Sequence, residues 1–240
     1  MNNSLSIISQ SKHNPSVKQD ALPRVLLPQT LEPGNQEVDV NQTIAVILPG
    51  RREFVSSPPY QRLGNVFAEC GIKPEYIQPN WGLTSVAAIT RDTERQIRAV
   101  VQPNQPIFGL GFSLGALCVL KSSEQVNFKA SILCSMSFFS EEIPYMGALL
   151  RFFTKRVIYR GGEILQYPPV RPEHKYYFVY GQKELKKIPE GILTLRSNRF
   201  NDGQTIVAAK AGHNIGHHGY QATLASLVRN LAFNNQFELA

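Results

Sequence analysis

Short apolar runs alternate along this chain with segments whose apolar residues recur at helical spacing. This alternation limits the possible folds more than any other feature. The clearest apolar run spans residues 44–48, contains no polar residue, and ends at Pro49-Gly50. Such a run is typical of a strand that is buried on both faces of a parallel sheet. The sequence therefore predicts an α/β fold with a mostly parallel central sheet and helices on both faces.

The other predicted elements follow the same alternation. Strands are expected at residues 44–48, 76–78, 106–110, 130–134, 176–180 and 205–209. Helices are expected from about Tyr60 to Cys70, within 84–101, from Leu114 to Lys121, and from Tyr220 to Leu231. The first helix has a proline, Pro59, in its first turn and Gly71 just after its end, so both of its ends are marked. Right-handed crossovers then bring the carboxyl ends of the strands to one edge, where ligands bind in such sheets.

Two segments do not fit this alternation. Residues 1–41 are rich in Asn, Ser, Gln and Pro, so we expect a flexible N-terminal arm ahead of a domain that spans 42–240. Residues 138–172 form an insertion between two strands, which we interpret as a short helical cap. Its apolar residues, with basic residues after them, could roof an acyl pocket or contact a membrane surface.

The cysteine content favours a cytoplasmic protein, and the scattered basic residues indicate a solvated charged surface. The net charge of +7 comes from 25 basic and 18 acidic residues. No run of five or more basic residues occurs, so we expect no nucleic-acid partner. No apolar stretch reaches the ~18 residues that a membrane span requires, and no secretory leader is visible. The three cysteines have no disulfide-framework spacing, which predicts reduced thiols.

One loop at the expected ligand-binding edge carries a reactive motif. The third strand leads into Gly111-Phe112-Ser113-Leu114-Gly115, a G-x-S-x-G sequence between a strand and a helix. An immediate turn from strand to helix strains its central residue, and the flanking glycines leave room for neighbouring backbone. The serine hydroxyl is then exposed at a helix N-terminus, where the N–H of Leu114 can donate to a developing oxyanion.

With this motif in this context, the sequence resembles the α/β-hydrolase family over residues 43 to about 235. The resemblance implies that Ser113 is the nucleophile and that a histidine after the last strand is its general base. By this match the base is His213, in the loop Lys210-Ala211-Gly212-His213-Asn214, where Gly212 would let the loop fold towards the serine. His217 and His218 are alternatives for this role.

The resemblance also implies an acid after the penultimate strand, often in the form Gly-x-x-Asp. This chain has Glu184 at that spacing from Gly181, so glutamate replaces the commoner aspartate. Glu141 and Glu142 remain alternatives, because some members of the family keep the acid one strand earlier.

A second oxyanion donor is expected from the loop after the first strand. By position it is the backbone N–H of Arg51, although Pro49 stands where the family often has histidine. The side chains of Arg51 and Arg52 could also meet an acidic group of the substrate.

Together these residues predict a serine hydrolase of carboxylic esters or thioesters that acts on a small molecule and needs no cofactor. His213, His217 and His218 are spaced for a shared metal, but no Cys, Asp or Glu cluster accompanies them, so no metal is expected. The alternative is a binding module that has kept the fold and lost catalysis.

Overall fold

The computed structural model describes residues 43–83, 85–102, 105–136, 142, 166–200 and 203–238. In these residues the strands are β1 (Ile44–Leu48), β2 (Lys73–Tyr76), β3 (Ile107–Phe112), β4 (Phe128–Cys134), β5 (Lys175–Gly181) and β6 (Gln204–Ala208). The helices are α1 (Pro58–Glu69), α2 (Val86–Val100), α3 (Leu114–Ser122), α4 (Gln182–Leu185), α5 (Glu190–Arg199) and α6 (His218–Glu238).

The strands form one sheet in the order β2-β1-β3-β4-β5-β6, and every neighbouring pair is parallel. The strand order reverses between β1 and β3, because the chain leaves β1 towards β2 and then returns to the other side of β1. In open parallel sheets, ligands bind in the crevice at such a reversal, beyond the carboxyl ends of the strands. The predicted parallel sheet is confirmed.

Helices cover both faces of this sheet, as expected. Helices α1 and α6 pack together on one face, where Tyr60, Phe67, Tyr220 and Leu224 contribute to the core. Helices α2 and α3 pack together on the other face, around residues such as Leu117. All five residues of β1 are at most 2% exposed. Burial on both faces explains why β1 contains no polar residue.

The ends of α1 follow the proline and glycine signals closely. The helix begins at Pro58, so that Pro59 lies in its first turn, where a missing N–H has no cost. It ends at Glu69, and Gly71 follows with a φ of 73°, a conformation that glycine adopts without strain. The other predicted helices also lie close to their expected positions.

Three elements differ from the sequence predictions, and one of them, the four-residue helix α4, has no predicted counterpart. The second strand spans Lys73–Tyr76, so only Tyr76 of the predicted 76–78 belongs to it. This strand is one of the two edge strands of the described sheet, and its residues are exposed or only partly buried, so its first residues carry no apolar signal. Helix α5 also has no counterpart among the predictions. Its two buried residues are Ile192 and the charged Arg196, so the sequence shows no apolar stripe at helical spacing.

The arm at 1–41 lies outside the described residues, and so does the insertion at 138–172 apart from residue 142 and residues 166–172. The expected flexible arm and helical cap therefore remain predictions. Among the helices that the structure describes, none is long and apolar enough to cross a membrane.

Candidate active site

Backbone strain concentrates at the carboxyl edge of the sheet. Among the described residues, four that are not glycine have a positive φ: Arg52 (64°), Ser113 (54°), Ser135 (44°) and Lys210 (58°). They follow β1, β3, β4 and β6 respectively, within a few residues of each strand end. Such conformations cost free energy and occur preferentially at functional sites. The carboxyl edge is therefore the candidate site on conformational grounds as well as by motif.

Ser113 occupies the sharp turn between β3 and α3, with a φ of 54° and a ψ of −116°. The two glycines of the motif are required by close backbone approaches. A Cβ on Gly111 would lie 2.5 Å from the carbonyl oxygen of Gly115, and one on Gly115 would lie 2.3 Å from that of Pro49. The turn therefore packs directly against the loop after β1, and Ser113 remains partly exposed.

His213 and Glu184 lie within hydrogen-bond distance at the same edge. The Nδ1 atom of His213 is 2.8 Å from Oε1 of Glu184. The His213 ring also packs against Phe112, the residue before Ser113, with 4.9 Å between ring centroids. The side chain of His213 is 52% exposed and that of Glu184 is 16% exposed. The structure thus brings the predicted base and acid together beside the predicted nucleophile.

In the described part of the chain, no hydrogen bond joins Ser113 Oγ to the His213 ring. The observed link between the two is the contact of His213 with Phe112. Catalytic hydrogen bonds are often long or poorly aligned before substrate binds.

Backbone contacts between two loops bring Glu184 to His213. The N–H of Lys183 donates to the carbonyl oxygen of Ala211 at 2.9 Å, and the N–H of Lys210 donates to Gln182 Oε1 at 3.0 Å. A Cβ on Gly181 would lie 2.5 Å from the carbonyl oxygen of Gly212. The expected role of Gly212 in folding the loop is wrong, because its φ is not positive and an added Cβ would meet nothing within 4 Å. Gly181 is the glycine that this approach requires.

The carboxylate of Glu184 has a second partner, the Oγ of Ser135, which donates to Oε2. Burial acts to raise the pKa of the Glu184 carboxyl, but hydrogen bonds from His213 and Ser135 oppose this, and the pKa lies below its ordinary value. Glu184 is therefore ionised at neutral pH. Sequence reasoning missed Ser135, and the only signal was its position directly after a predicted strand.

The alternative acid Glu142 has a different partner. It is fully buried and forms a forked ion pair with Arg196, at 2.5 Å from Nε and 3.0 Å from Nη2. The hydroxyl of Tyr167 also donates to it. Its oxygens thus face Arg196 and Tyr167, whereas those of Glu184 face His213 and Ser135. Glu141 lies outside the described residues.

The alternative bases are turned towards other groups. His217 accepts a hydrogen bond at Nδ1 from the N–H of Gly219 at 3.1 Å, and its ring stacks on that of His218, 4.3 Å away. His174 is buried beside Ser131, with 2.9 Å between its Nε2 and Ser131 Oγ. Among the residues described, no group of three or more His, Cys, Asp and Glu side chains could hold a metal ion.

Side chains fix the loop that contains the expected second oxyanion donor. The N–H of Gly50 donates to the Tyr60 hydroxyl at 2.9 Å and to Glu53 Oε2 at 3.2 Å, and Tyr60 itself donates to Glu53. These bonds hold the backbone just before Arg51, whose side chain is exposed. Leu114 is the first residue of α3, so its N–H has no partner within the helix.

Comparison with known proteins identifies the fold but no close relative. No protein-family model matches the sequence, and no curated protein sequence matches it. Many solved structures are similar, however. Est1E from Butyrivibrio proteoclasticus, solved with ferulic acid bound, is 11% identical, with a TM-score of 0.58 over 80% of this chain and 88% of its own.

Two further neighbours have the same fold. Alpha/beta hydrolase domain-containing protein 10 from mouse is 13% identical, with a TM-score of 0.59 over 80% of this chain and 90% of its own. The Pyrococcus furiosus esterase PF2001 is 12% identical, with a TM-score of 0.57 over 82% of this chain and 83% of its own. At these identities the likeness is one of fold, and at that level it confirms the resemblance seen in the sequence.

Proposed function

We propose that this chain, which has the α/β-hydrolase fold, is a serine hydrolase that cleaves carboxylic esters or thioesters through an acyl-enzyme intermediate. The observation that carries the proposal is the 2.8 Å contact between His213 Nδ1 and Glu184 Oε1, with the imidazole packed on Phe112 beside Ser113. An ionised carboxylate on one ring nitrogen keeps the proton there and leaves the other nitrogen free to accept one. This arrangement is what a serine needs to become a nucleophile.

The proposed reaction has two halves. Ser113 Oγ attacks the acyl carbon while His213 takes its proton, and the N–H groups of Leu114 and Arg51 stabilise the oxyanion. His213 then passes the proton to the leaving alcohol or thiol, which departs and leaves the acyl group on Ser113. Water attacks the acyl-enzyme, again with His213 as base, and releases the acid and free Ser113. Glu184 holds the imidazole and stabilises its charged form without taking the proton.

The proposed substrate is a small molecule. Est1E with ferulic acid bound and the esterase PF2001 support a carboxylic acid or ester as ligand, since both share the fold. No cofactor or metal takes part in the proposed steps. The cysteines Cys70, Cys118 and Cys134 are free thiols, which supports a reducing compartment such as the cytoplasm.

A fluorophosphonate probe tests the proposal directly, because it reacts only with an activated serine. Wild type should be labelled at Ser113, whereas Ser113→Ala should not be labelled. His213→Ala should slow labelling by about 10²- to 10⁴-fold, the usual contribution of a general base. His217→Ala is the matched control and should be labelled normally, since His217 is engaged with Gly219. A folded wild type that remains unlabelled would contradict the proposal.

The second candidate is a non-catalytic binding module. It is favoured by the missing hydrogen bond between Ser113 Oγ and His213 among the described residues. Turnover of short p-nitrophenyl esters separates the two functions: an enzyme loses most of its activity in His213→Ala, whereas a binding module shows the same low rate in both proteins.

A further inference from the structure

Ser135 combines burial, strain and polarity at the carboxyl edge. It follows β4 directly, is 2% exposed, and has a φ of 44°. The left-handed region is unfavourable for a residue with a side chain, so the surrounding structure must hold it there. One such restraint is the hydrogen bond of 2.7 Å from the N–H of Ser135 to the carbonyl oxygen of Val179 on β5.

The Ser135 hydroxyl lies between Glu184 and Tyr220. It donates to Oε2 of Glu184, while Oε1 of the same carboxylate faces His213. On its other side, Ser135 Oγ is 2.8 Å from the hydroxyl of the buried Tyr220. The Tyr220 hydroxyl is also 2.7 Å from the Val179 carbonyl oxygen, so its single proton is shared between Ser135 Oγ and that oxygen. The Ser135 hydroxyl is therefore held on both sides.

A glutamate needs such a restraint more than an aspartate does. Its extra methylene adds a rotatable bond between the backbone and the carboxylate, and fixing that bond costs conformational entropy. A hydrogen bond to only one carboxylate oxygen leaves the carboxylate free to rotate about that bond. With Oε1 on His213 and Oε2 on Ser135, both oxygens of Glu184 are fixed.

We infer that Ser135 is a positioning residue, held by Tyr220 and the Val179 carbonyl, that fixes Glu184 so that a glutamate can orient His213. The inference rests on the proposed function. In this scheme the Ser135 side chain acts only through Glu184 and takes no part in the chemical steps. The three side chains come from three separate parts of the fold: the end of β4, helix α4 and helix α6.

The first test is a double-mutant cycle on p-nitrophenyl ester hydrolysis. Ser135→Ala should lower kcat by about 10- to 100-fold, because a misplaced catalytic group costs rates of this size. In a Glu184→Ala background the same change should have no further effect, because Ser135 then has no carboxylate to hold. Tyr220→Phe should lower kcat by less than Ser135→Ala does. Equal fold-losses from Ser135→Ala in both backgrounds would overturn the inference.

Two controls separate positioning from general damage. Ser131→Ala removes another buried serine hydroxyl from β4, one that faces His174, and should leave kcat unchanged. Ser135→Gly removes the hydroxyl and also relieves the positive φ, so it should fold well and still lose activity as Ser135→Ala does. A fully active Ser135→Gly would overturn the inference.

The second test does not depend on catalysis. The pKa of the Glu184 carboxyl, followed by ¹³C NMR titration, should rise in Ser135→Ala, because a donor to the charged form is lost. An unchanged pKa in a folded variant would overturn the inference. If wild type lacks hydrolase activity while this pKa rises, the proposed function fails and the hydrogen bond that positions Glu184 stands. If wild type is active and Ser135→Ala is equally active, only the positioning role fails.

Discussion

The backbone of Gly181 lies so close to that of Gly212 that a Cβ on Gly181 would be 2.5 Å from the Gly212 carbonyl oxygen. This contact joins the end of β5 to the loop after β6. Glu184 lies three residues beyond Gly181, and His213 directly follows Gly212. Backbone packing therefore sets the distance between the loops of the proposed acid and base, and the hydrogen bond between their side chains forms across that distance.

Gly181→Ala should separate these loops and lower kcat by about 100-fold, because a shift near 1 Å at a catalytic group has effects of that size. Gly212→Ala is the matched control, since its Cβ would meet nothing within 4 Å. Ester hydrolysis and thermal unfolding of both variants provide the measurement. Equal activity in the two variants would contradict the geometric argument.

Tyr60→Phe should displace the loop of the expected second oxyanion donor. The Tyr60 hydroxyl accepts from the Gly50 N–H at 2.9 Å and is held by Glu53. Without it we expect kcat to fall by about 10-fold, less than the loss of a whole oxyanion donor. Steady-state kinetics should show the loss mainly in kcat, because the donor acts on the transition state. A change confined to KM would contradict this role for the loop.

The unfolding free energy should depend on pH through Glu184. Its folded pKa lies below its ordinary value, so the ionised form contributes stability above the unfolded pKa of about 4.3. This contribution is lost as pH falls through the folded pKa. Glu184→Gln cannot ionise, so its deficit in stability should be largest near pH 7 and should shrink at acid pH. Urea unfolding between pH 3 and pH 7 measures both proteins, and a deficit that does not vary with pH would contradict the prediction.

His174 should lower the stability of the fold at acid pH, because its side chain is buried in the neutral form. Burial, with a smaller effect of the Arg171 charge, lowers the pKa of His174 from 6.5 to about 4. Between these values the unfolded state binds the proton and the folded state does not, so stability falls as pH drops from about 6.5 to about 4. The full loss is about 3 kcal/mol. His174→Gln should flatten this part of the stability curve in urea unfolding, whereas an equally steep curve would show that another group titrates.

Arg196→Met should destabilise the fold by about 3 to 5 kcal/mol, because it removes the guanidinium that forms a forked ion pair with the buried Glu142 carboxylate. Adding Glu142→Gln should recover part of that loss, because a neutral amide costs less to bury than a carboxylate that has lost its guanidinium partner. Chemical denaturation of the single and double variants measures the coupling between the two residues. A double variant less stable than Arg196→Met would contradict this account.

Local signals in the sequence were sufficient for the sheet, and they also singled out Ser113, Glu184 and His213, which lie at one edge of it. The strand-to-helix turn at Ser113 needs glycines at fixed spacing, and the loops after the last two strands must lie at the same edge as that turn. Glu184 and His213 are 29 residues apart, yet the parallel neighbours β5 and β6 end at the same edge, so the residues that follow them are expected to lie close together. Strand β2 was predicted with displaced bounds, because its first three residues, Lys73, Pro74 and Glu75, carry no apolar signal.

Ser135 and Tyr220 could not be predicted in the same way. They are 85 residues apart, belong to no motif, and meet only because the first turn of α6 places the Tyr220 hydroxyl beside Ser135 and the Val179 carbonyl oxygen. Arg196 illustrates a second limit. In a sequence a charged residue indicates a surface, and only the packed structure reveals that its partner Glu142 is buried beside it.

Strand β2 has a further consequence for how the protein behaves at high concentration. An open strand edge can recruit a strand from another molecule and so begin aggregation. In the described sheet this edge is only four residues long and includes Pro74, which has no N–H to offer. Lys73 and Glu75 beside it form an ion pair of 2.6 Å, so an incoming chain would have to displace charged groups. The polar residues that displaced the predicted bounds of this strand therefore oppose the pairing of this edge with another molecule.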